Sequence, residues 1–451
     1  MTAKPNVKSV FKYALNNIEF YKSGSYEHLR NLNSKNLEDV IKDIPIISGE
    51  VFMNNFYKFI PDIRTRVSLF QTSGSTGKPK VIPVTYDDME IFGHTFVNVY
   101  KELLGEIPYI TINIAPPRPA ISGITMSSIS EAGKSIELNP GPGQTLLDIL
   151  KKGNDIIDSH PNMNKKIFIS GLPSILFREI YNLDEKSREE LNYLVRKNEI
   201  YIAVGGEPLN LERSKLLYSL MPVRGILNFL ASTERICGSK FYSEEMLNSE
   251  DAPDTSVFKL SRYNNEFGIY SDSKVYYPSD NKLKGLEGEL LLTSKGLKGQ
   301  DHVPLINYDT KEKVRFIDID KDYMYLEFLG RTNKLVNFSV SKLDDIIIDD
   351  VLAFTSRKLN LGEGYAEITG ENGLDKMTFY FYKNQFKGSK EEVINLILDK
   401  LSKEEMELKY VIDQKLALLD AELVAKDRIP FYDPTKIKSP KIIDRRGIEH
   451  Y

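Results

Sequence analysis

Apolar segments of strand character alternate with helix-like segments through the first half of this chain. The strand-like segments read YITINIA (109–115), KIFISG (166–171), IYIAVGGE (200–207) and GILNFLAS (225–232). Segments with helical periodicity, such as PSILFREIYNL and EELNYLVRKN, follow them. This alternation is typical of a mostly parallel sheet that is covered by helices on both faces. The pattern therefore predicts an α/β fold with a mixed or parallel sheet and flanking helices.

The pattern changes along the second half of the chain. From about residue 260 it reads as strands and turns, in EFGIYSDSKVYYP, GELLLTS and YMYLEFLG. Beyond Gly330 a small α+β unit follows, in which YAEITGENGLDKMTFYFYK predicts a hairpin that turns at Asn372 and Gly373. The polar stretch GRTNK (330–334) separates the two patterns. We therefore expect a large N-terminal domain over 1–331 and a small C-terminal domain over 332–451.

Composition limits the possible partners. The 451 residues are 41% hydrophobic and 27% charged with a formal net charge of −4, which offers no basic excess for nucleic acid. No apolar run approaches the length of a membrane span, and the start of the chain lacks the apolar core of a secretory signal. The single cysteine excludes an internal disulfide, and the five scattered histidines have no metal-ligand spacing. We expect a cytoplasmic protein that binds neither nucleic acid nor membrane.

The stretch QTSGSTGKPK (Gln71–Lys80) combines glycines, hydroxyl side chains and lysines between two apolar segments. Such residues can surround a polyphosphate, because glycines let backbone amides approach it and lysines neutralise its charge. The stretch is not a Walker A loop, since Thr72 stands where that motif needs glycine and Pro79 follows Lys78. From these residues alone, a nucleotide phosphate loop and a solvated turn both remain open.

The stretch TSGSTGKPK closely resembles the phosphate-loop signature of the adenylate-forming, acyl-activating superfamily, and further resemblances follow in the superfamily's order. They are GGEPL (205–209) for the adenine segment, NFLASTE (228–234) for Asn-x-Tyr-Gly-x-Thr-Glu, GELLLTS (288–294) for the Gly-Glu-Leu strand, NYDTKEKV (307–314) for Tyr-Arg-Thr-Gly-Asp, GRTNKLVNFSVSKLDDI for the hinge segment, and SPKIIDRR for the C-terminal Ser-Gly-Lys-Ile-x-Arg. The short region before the phosphate loop and SGLPSIL (170–176) resemble the phenylacetate–CoA ligase and aryl-acid ligase branch.

The resemblance implies an acid–thiol ligase that uses ATP and Mg²⁺ to make an acyl-adenylate and then transfers the acyl group to CoA or to phosphopantetheine on an acyl carrier protein. It implies that the C-terminal domain is mobile about a hinge near Asn333 and brings Lys441 to the reacting carboxylate and α-phosphate. Thr233 would contact phosphate, and Glu234 would bind the metal. The implied nucleotide-binding residues are Thr72, Ser73, Gly74, Ser75, Thr76, Gly77, Lys78, Gly205, Gly206, Glu207, Pro208, Leu230, Ala231, Ser232, Glu312 and Arg331.

Several positions depart from the superfamily's pattern. Leu230 stands where an aromatic residue commonly stacks on adenine, and Ala231 stands for glycine. Lys311 and Glu312 replace the Gly-Asp pair of the ribose motif, and Pro440 replaces the glycine before the catalytic lysine. Each substitution keeps the charges that the chemistry needs.

Alternatives remain for individual residues and for the reaction. Lys438 is a rival for the role of Lys441, and Cys237 is expected to be a small buried residue rather than an acyl-accepting nucleophile. The segments 117–130 and 226–232 are expected to line a small, apolar pocket for a monocarboxylic aryl or short acyl acid. Amide formation with an amine, or nucleotide and acyl binding without catalysis, are the alternative functions.

Overall fold

The computed structural model describes residues 4–22, 26, 41–42, 44–71, 80–115, 121–162, 164–206, 209–250, 257–278, 283–331, 336–338, 341–343, 345–371, 374–404, 412–413, 417–430 and 441–446. The described helices are α1 Val7–Asn17, α2 Glu19–Lys22, α3 Gly49–Asn55, α4 Tyr86–Leu104, α5 Ser122–Gly133, α6 Leu146–Ser159, α7 Pro173–Tyr181, α8 Glu185–Lys197, α9 Leu211–Leu220, α10 Glu244–Asn248, α11 Asp345–Leu359 and α12 Lys390–Glu404. Short 3-10 helices cover Phe56–Phe59 and Lys426–Arg428.

The strands fall into two separate groups along the chain. Those before the predicted hinge are β1 Val67–Gln71, β2 Val81–Thr85, β3 Ile110–Asn113, β4 Ile136–Leu138, β5 Lys166–Gly171, β6 Glu199–Gly205, β7 Gly225–Ala231, β8 Cys237–Ser243, β9 Val257–Ser261, β10 Asn265–Ser271, β11 Lys274–Tyr276, β12 Glu287–Ser294, β13 Tyr308–Ile319 and β14 Tyr323–Arg331. Those after it are β15 Val336–Phe338, β16 Ser341–Leu343, β17 Gly364–Glu371, β18 Leu374–Tyr382, β19 Ala417–Val424 and β20 Ile442–Asp444.

A large mixed sheet forms the centre of the molecule. Within the described residues it has 12 strands in the order β11-β10-β12-β13-β14-β9-β8-β7-β6-β5-β3-β4. The strands β4, β3, β5, β6 and β7 run parallel, as the alternation of strands and helices predicts. The antiparallel part begins at β8, earlier than residue 260, because a tight turn after β7 returns the chain directly beside that strand.

Apolar side chains cover both faces of the parallel strands. On β3, Ile110 and Ile112 join one buried cluster together with residues of α6, α7 and α8. Phe168 of β5 and Phe229 of β7 face the other cluster, which includes residues of α4 and α5. Alternate residues of a strand point to opposite faces, so continuous apolar strands supply both cores. The predicted helical cover is therefore confirmed.

The residues after the predicted hinge form a smaller sheet with an apolar core of its own. Its order is β19-β18-β17-β20, and α11 and α12 pack on it. The predicted hairpin is confirmed by the antiparallel pairing of β17 and β18, although its turn residues 372–373 lie outside the described residues. The domain boundary at 331/332 stays a prediction, because 332–335 also lie outside them. In the part of the chain that is described, no helix is both long enough and apolar enough to cross a bilayer.

Candidate active site

The hairpin β1–β2 brackets the predicted phosphate loop. Gln71 pairs with Val81, so the two ends of the loop are held side by side. The loop itself, which contains the predicted residues Thr72, Ser73, Gly74, Ser75, Thr76, Gly77 and Lys78, lies outside the described residues. The structure therefore describes the two strands from which the loop extends, and it describes Lys80 just after the loop.

Lys80 lies in a cluster with Glu234 and Tyr308. Its Nζ is 3.6 Å from Glu234 Oε1 and donates to the Tyr308 hydroxyl at 3.2 Å. The Tyr308 hydroxyl donates in turn to Glu234 Oε1 at 3.0 Å. Burial, followed by the charge of Glu234, raises the pKa of Tyr308 well above its usual value, so this hydroxyl stays protonated and can donate. The cluster joins the end of the phosphate loop, the Thr-Glu motif and the start of β13.

The sequence motifs predict a role for Lys78 but none for Lys80 or Tyr308. Both residues nevertheless lie inside the stretches that carry the resemblance, QTSGSTGKPK and NYDTKEKV. What the sequence cannot show is which of two lysines in one short loop reaches the carboxylate. Among the described residues Lys80, which directly precedes β2, reaches Glu234, and Lys78 lies outside them.

The loop that carries Ser232, Thr233 and Glu234 is a tight turn between β7 and β8. The Arg235 amide donates to the Ser232 carbonyl at 2.9 Å, and Arg235 adopts a φ of +68°. That left-handed conformation is costly for arginine and requires support from its surroundings. The carbonyl oxygen of Arg235 accepts hydrogen bonds from the side-chain amides of Asn264 and Asn265, at 2.7 and 2.8 Å.

The Arg235 side chain fixes the same turn from the other side. Its guanidinium forms an ion pair with Asp88 of α4 and donates to the Val303 carbonyl at 2.7 Å. His302 Nδ1 lies 3.2 Å from the same carboxylate. Burial alone would raise the pKa of Asp88, but Arg235 and His302 outweigh it and lower that pKa to about 2. A buried charge network therefore holds the residue next to Glu234.

The two residues predicted to hold the ribose lie opposite each other on neighbouring strands. Glu312 of β13 is paired with Arg331 of β14, and Glu312 is 4% exposed. For Arg331 the structure describes the backbone only. Lys311 has a φ of +63°, a conformation that favours glycine, and glycine is the residue that the superfamily's motif has at this position. The Lys311 amide donates to Asp309 Oδ1 at 2.8 Å. The turn directs the chain into the bulge that follows Glu312.

The predicted adenine segment leaves the carboxyl end of β6 beside β7. A Cβ on Gly205 would lie 2.7 Å from the Phe229 carbonyl oxygen, so glycine is needed for this close approach. Gly206 has a φ of +81°, which glycine adopts without strain. Leu230 and Ala231 end β7 and are half-buried. Glu207 and Pro208 lie outside the described residues. Ligands of parallel α/β sheets bind at this edge.

The segments predicted to line the acid pocket reach the same edge. Helix α5 lies against β3 and β5, and the Asn113 side-chain amide donates to the Gly123 carbonyl at 3.1 Å. Ser170, at the end of β5, is 1% exposed, and its hydroxyl has no hydrogen-bond partner among the described residues. Buried hydroxyls are normally paired, so this one is available to a ligand or a water molecule. Residues 116–120 lie outside the described residues.

Lys441 lies in a different cluster, at the start of β20. Its Nζ donates to Glu363 Oε2 at 2.6 Å and is 3.3 Å from Asp349 Oδ1. The structure therefore does not bring it together with Glu234 in one cluster. Its rival Lys438 lies outside the described residues. Cys237 is fully buried, as predicted, and burial raises the pKa of its thiol, which disfavours the nucleophilic thiolate.

Comparison with solved structures identifies the fold. The chain is similar to a 2-hydroxyisobutyryl-CoA ligase in the postadenylation state with 2-HIB-AMP, at a TM-score of 0.67 and 15% identity, over 98% of this chain and 88% of that one. The same ligase in its thioesterification state with 2-HIB-AMP and CoA gives a TM-score of 0.52 at 16% identity and the same coverage. Comparisons with protein-family models and with curated proteins found no match.

The chain therefore has the fold of this 2-hydroxyisobutyryl-CoA ligase, in agreement with the fold that the sequence motifs predicted. At this level of identity the similarity concerns the fold. The phenylacetate–CoA ligase branch and the individual site residues stay predictions.

Proposed function

We propose that this protein activates a carboxylic acid with ATP as an acyl-adenylate and transfers the acyl group to a thiol. The observation that carries the proposal is the contact of Lys80 with Glu234 and Tyr308. It joins the phosphate-loop stretch to the Thr-Glu motif and to the ribose motif. These three segments are distant in the sequence, and the resemblance implies that each of them lies at the nucleotide.

In the first step a carboxylate oxygen of the acid bonds to the α-phosphorus of ATP, and pyrophosphate leaves with the electron pair of the broken bond. Both reactants are anionic, so this chain's part is to position them and to neutralise charge. Lys80 and the loop 72–78 would hold the β- and γ-phosphates. Thr233 would contact phosphate, and Glu312 with Arg331 would hold the ribose. Gly205, Gly206, Glu207, Pro208, Leu230, Ala231 and Ser232 would surround the adenine.

Glu234 is the residue that would contact Mg²⁺ brought with ATP. A single carboxylate fits this role, because Mg²⁺ on a nucleotide takes most of its ligands from phosphate oxygens and water. One oxygen of Glu234 is already held by Lys80 and Tyr308, which orients the carboxylate toward the end of the phosphate loop. The ion would neutralise phosphate charge when it is bound.

In the second step a thiol gives up its proton and its sulfur bonds to the acyl carbon, while AMP leaves with the electron pair of the broken bond between acyl carbon and phosphate oxygen. CoA and carrier-bound phosphopantetheine both offer this thiol, and the C-terminal domain 332–451 would rotate between the two steps. Lys441 would serve the first step only. The acid would bind against α5 and the ends of β5 and β7, where the buried Ser170 hydroxyl would supply one polar contact.

The test is pyrophosphate exchange into ATP with a panel of monocarboxylic aryl and short acyl acids. Glu234→Gln should lower exchange by on the order of 10²-fold, since it removes the anionic metal ligand and keeps the shape. Glu244→Gln is the matched control, because Glu244 is a half-buried residue beyond the opposite end of β8 and is paired there with Arg224.

The outcomes separate the alternatives. If none of the acids supports pyrophosphate exchange while MgATP still binds normally, the protein would be a non-catalytic binder, which would contradict the proposal. If one acid supports exchange but a product forms only when an amine is supplied in place of the thiol, the protein would be an amide-forming enzyme and not a thiol ligase. Exchange by Glu234→Gln within about threefold of wild type would remove that residue from the metal site.

A further inference from the structure

Four charged side chains meet in a buried cluster away from Glu234. Lys441 Nζ contacts Glu363 at 2.6 Å and Asp349 at 3.3 Å. Arg213 contacts the same two carboxylates, through Nη1 to Asp349 and Nε to Glu363, at 3.6 Å each. The side chains of Arg213, Asp349 and Glu363 are at most 4% exposed, and that of Lys441 is 11% exposed. We name these four residues the interdomain charge cluster.

Three members of this cluster belong to one unit after the predicted hinge. Asp349 lies on α11, Glu363 directly precedes β17, and Lys441 directly precedes β20. Strands β17 and β20 are parallel neighbours, and the Ala366 amide donates to the Lys441 carbonyl at 2.8 Å. These three residues therefore move together, and their summed formal charge is negative.

Arg213 comes from the other side, on α9 before the predicted hinge. Its guanidinium lies 5.4 Å from the centroid of the Phe177 ring on α7, which holds it from its own side of the interface. Its charge brings the cluster to neutrality. Burying two carboxylates with one ammonium would leave an uncompensated charge in a low-dielectric site, which is strongly unfavourable.

The surroundings of the cluster indicate a docking surface between the two parts of the chain. Val424 and Ile429, both from after the hinge, are buried in the apolar cluster formed by β3, β5 and β6. At the edge, Arg357 of α11 contacts Glu212 and Glu250 at 2.6 and 2.8 Å. The interface therefore has an apolar part, an exposed ionic edge and one buried charge cluster.

We propose that Arg213 is a positioning residue that docks the C-terminal unit by neutralising the Asp349–Glu363 pair that holds Lys441. Docking shields the Lys441 ammonium and its two carboxylate partners from solvent. Loss of Arg213 leaves a net negative cluster, which is stable only when water can reach it. The unit then undocks and exposes Lys441. The catalytic consequence, that Lys441 must leave these carboxylates before it can serve adenylation, rests on the proposed function.

The experiment labels lysines of the full-length protein with acetic anhydride, without substrates, and measures acetylation of Lys441 by mass spectrometry. Arg213→Met should speed this labelling by about tenfold or more, because labelling follows the population of the open form. Glu363→Gln should do the same, since it leaves a net positive cluster. The double variant Arg213→Met with Glu363→Gln restores neutrality and should label within about twofold of wild type. Lys358→Met, which removes an exposed cation of the same interface, is the control.

Recovery in the double variant cannot come from misfolding, because misfolding of either single variant would persist in it. Labelling of Arg213→Met at the wild-type rate, or a double variant at least as reactive as the more reactive single variant, would overturn the docking role. Pyrophosphate exchange is measured on the same samples. If labelling changes as expected but none of the acids supports pyrophosphate exchange by the wild-type protein, the proposed function fails and the docking role stands.

Discussion

Asp88 connects three parts of the structure through one carboxylate. It closes the capping box of α4 with Thr85, pairs with Arg235, and accepts from the Val303 amide at 2.9 Å. Only the capping box is local in sequence. The contacts with Arg235 and Val303 depend on the fold, and they link the first turn of α4 to the turn that carries Glu234.

The pH dependence of stability tests this residue. The pKa of Asp88 is lowered from 3.8 to about 2 in the folded protein, so the unfolded chain takes up this proton first as pH falls. Its stabilisation is complete above about pH 4 and is lost as pH falls toward 2, by about 2 kcal/mol in total. Asp88→Asn should lower the free energy of unfolding at neutral pH by roughly 3 kcal/mol, as measured by urea unfolding. It should also make the decrease of that free energy at acidic pH shallower.

Asp148→Asn is the matched control for Asp88→Asn. Asp148 closes the equivalent capping box of α6 with Thr145, and its hydrogen bonds there are exposed. We expect a loss of about 1 kcal/mol or less. Equal losses for the two variants would show that Asp88 acts as a helix cap only, and would contradict the role of its pair with Arg235.

At the scale of elements, α4 and α5 pack at a glycine. A Cβ on Gly93 of α4 would overlap the backbone carbonyl of Ser128 on α5, which cannot rotate away. This close approach places α5 against the ends of β3 and β5, where the acid is expected. Helix propensity alone would favour alanine at Gly93, so packing has overridden local preference there.

Two glycine variants test this packing. Gly93→Ala should destabilise the protein by roughly 1–3 kcal/mol, because the helices must move apart. Gly153→Ala is the matched control, since a Cβ on Gly153 of α6 would meet Leu138 and Ile167 at ordinary distances of 3.6 and 3.7 Å. It should stabilise by about 0.5–1 kcal/mol. The measurement is urea unfolding, and stabilisation by both substitutions would contradict the close packing of α4 on α5.

At the scale of the whole molecule, the edge and the centre of the docking surface should respond differently to salt. Glu250 is 60% exposed, and its hydrogen bonds with Arg357 and then Lys358 lower its pKa to about 2, so it is charged at neutral pH. Glu250→Gln should weaken docking by less than about 1 kcal/mol at low salt, and this effect should disappear near 1 M salt. The effect of Arg213→Met should persist, because its partners are buried.

Hydrogen exchange of α11 at low and high salt measures both effects. Glu245→Gln is the control, because Glu245 is an exposed neighbour on α10. Faster exchange in Glu250→Gln that persists at high salt would contradict the screened character of the edge. Loss of the Arg213→Met effect at high salt would place that residue in contact with solvent and contradict its burial.

Much of the fold could be predicted because it depends on local patterns. Apolar runs that end in Gly171 and Gly205 became parallel strands, and the segment around Asn372 and Gly373 joined an antiparallel pair. The motif order indicated the fold that the structural comparison then identified. Periodicity, turn residues and short motifs act over a few residues, so the sequence by itself determined the elements, their class and the segments that carry the candidate site.

The partners of individual side chains were decided only by the tertiary structure. The motifs do not predict the contact of Lys80 with Tyr308, and the contacts of Arg235 with Asp88 and of Arg213 with Asp349 join distant segments. Such contacts depend on strand register and on how helices pack, and a shift of one residue in register would point a strand's side chains to the other face. The charge of each residue is written in the sequence, but which opposite charge neutralises it depends on which surfaces are buried together.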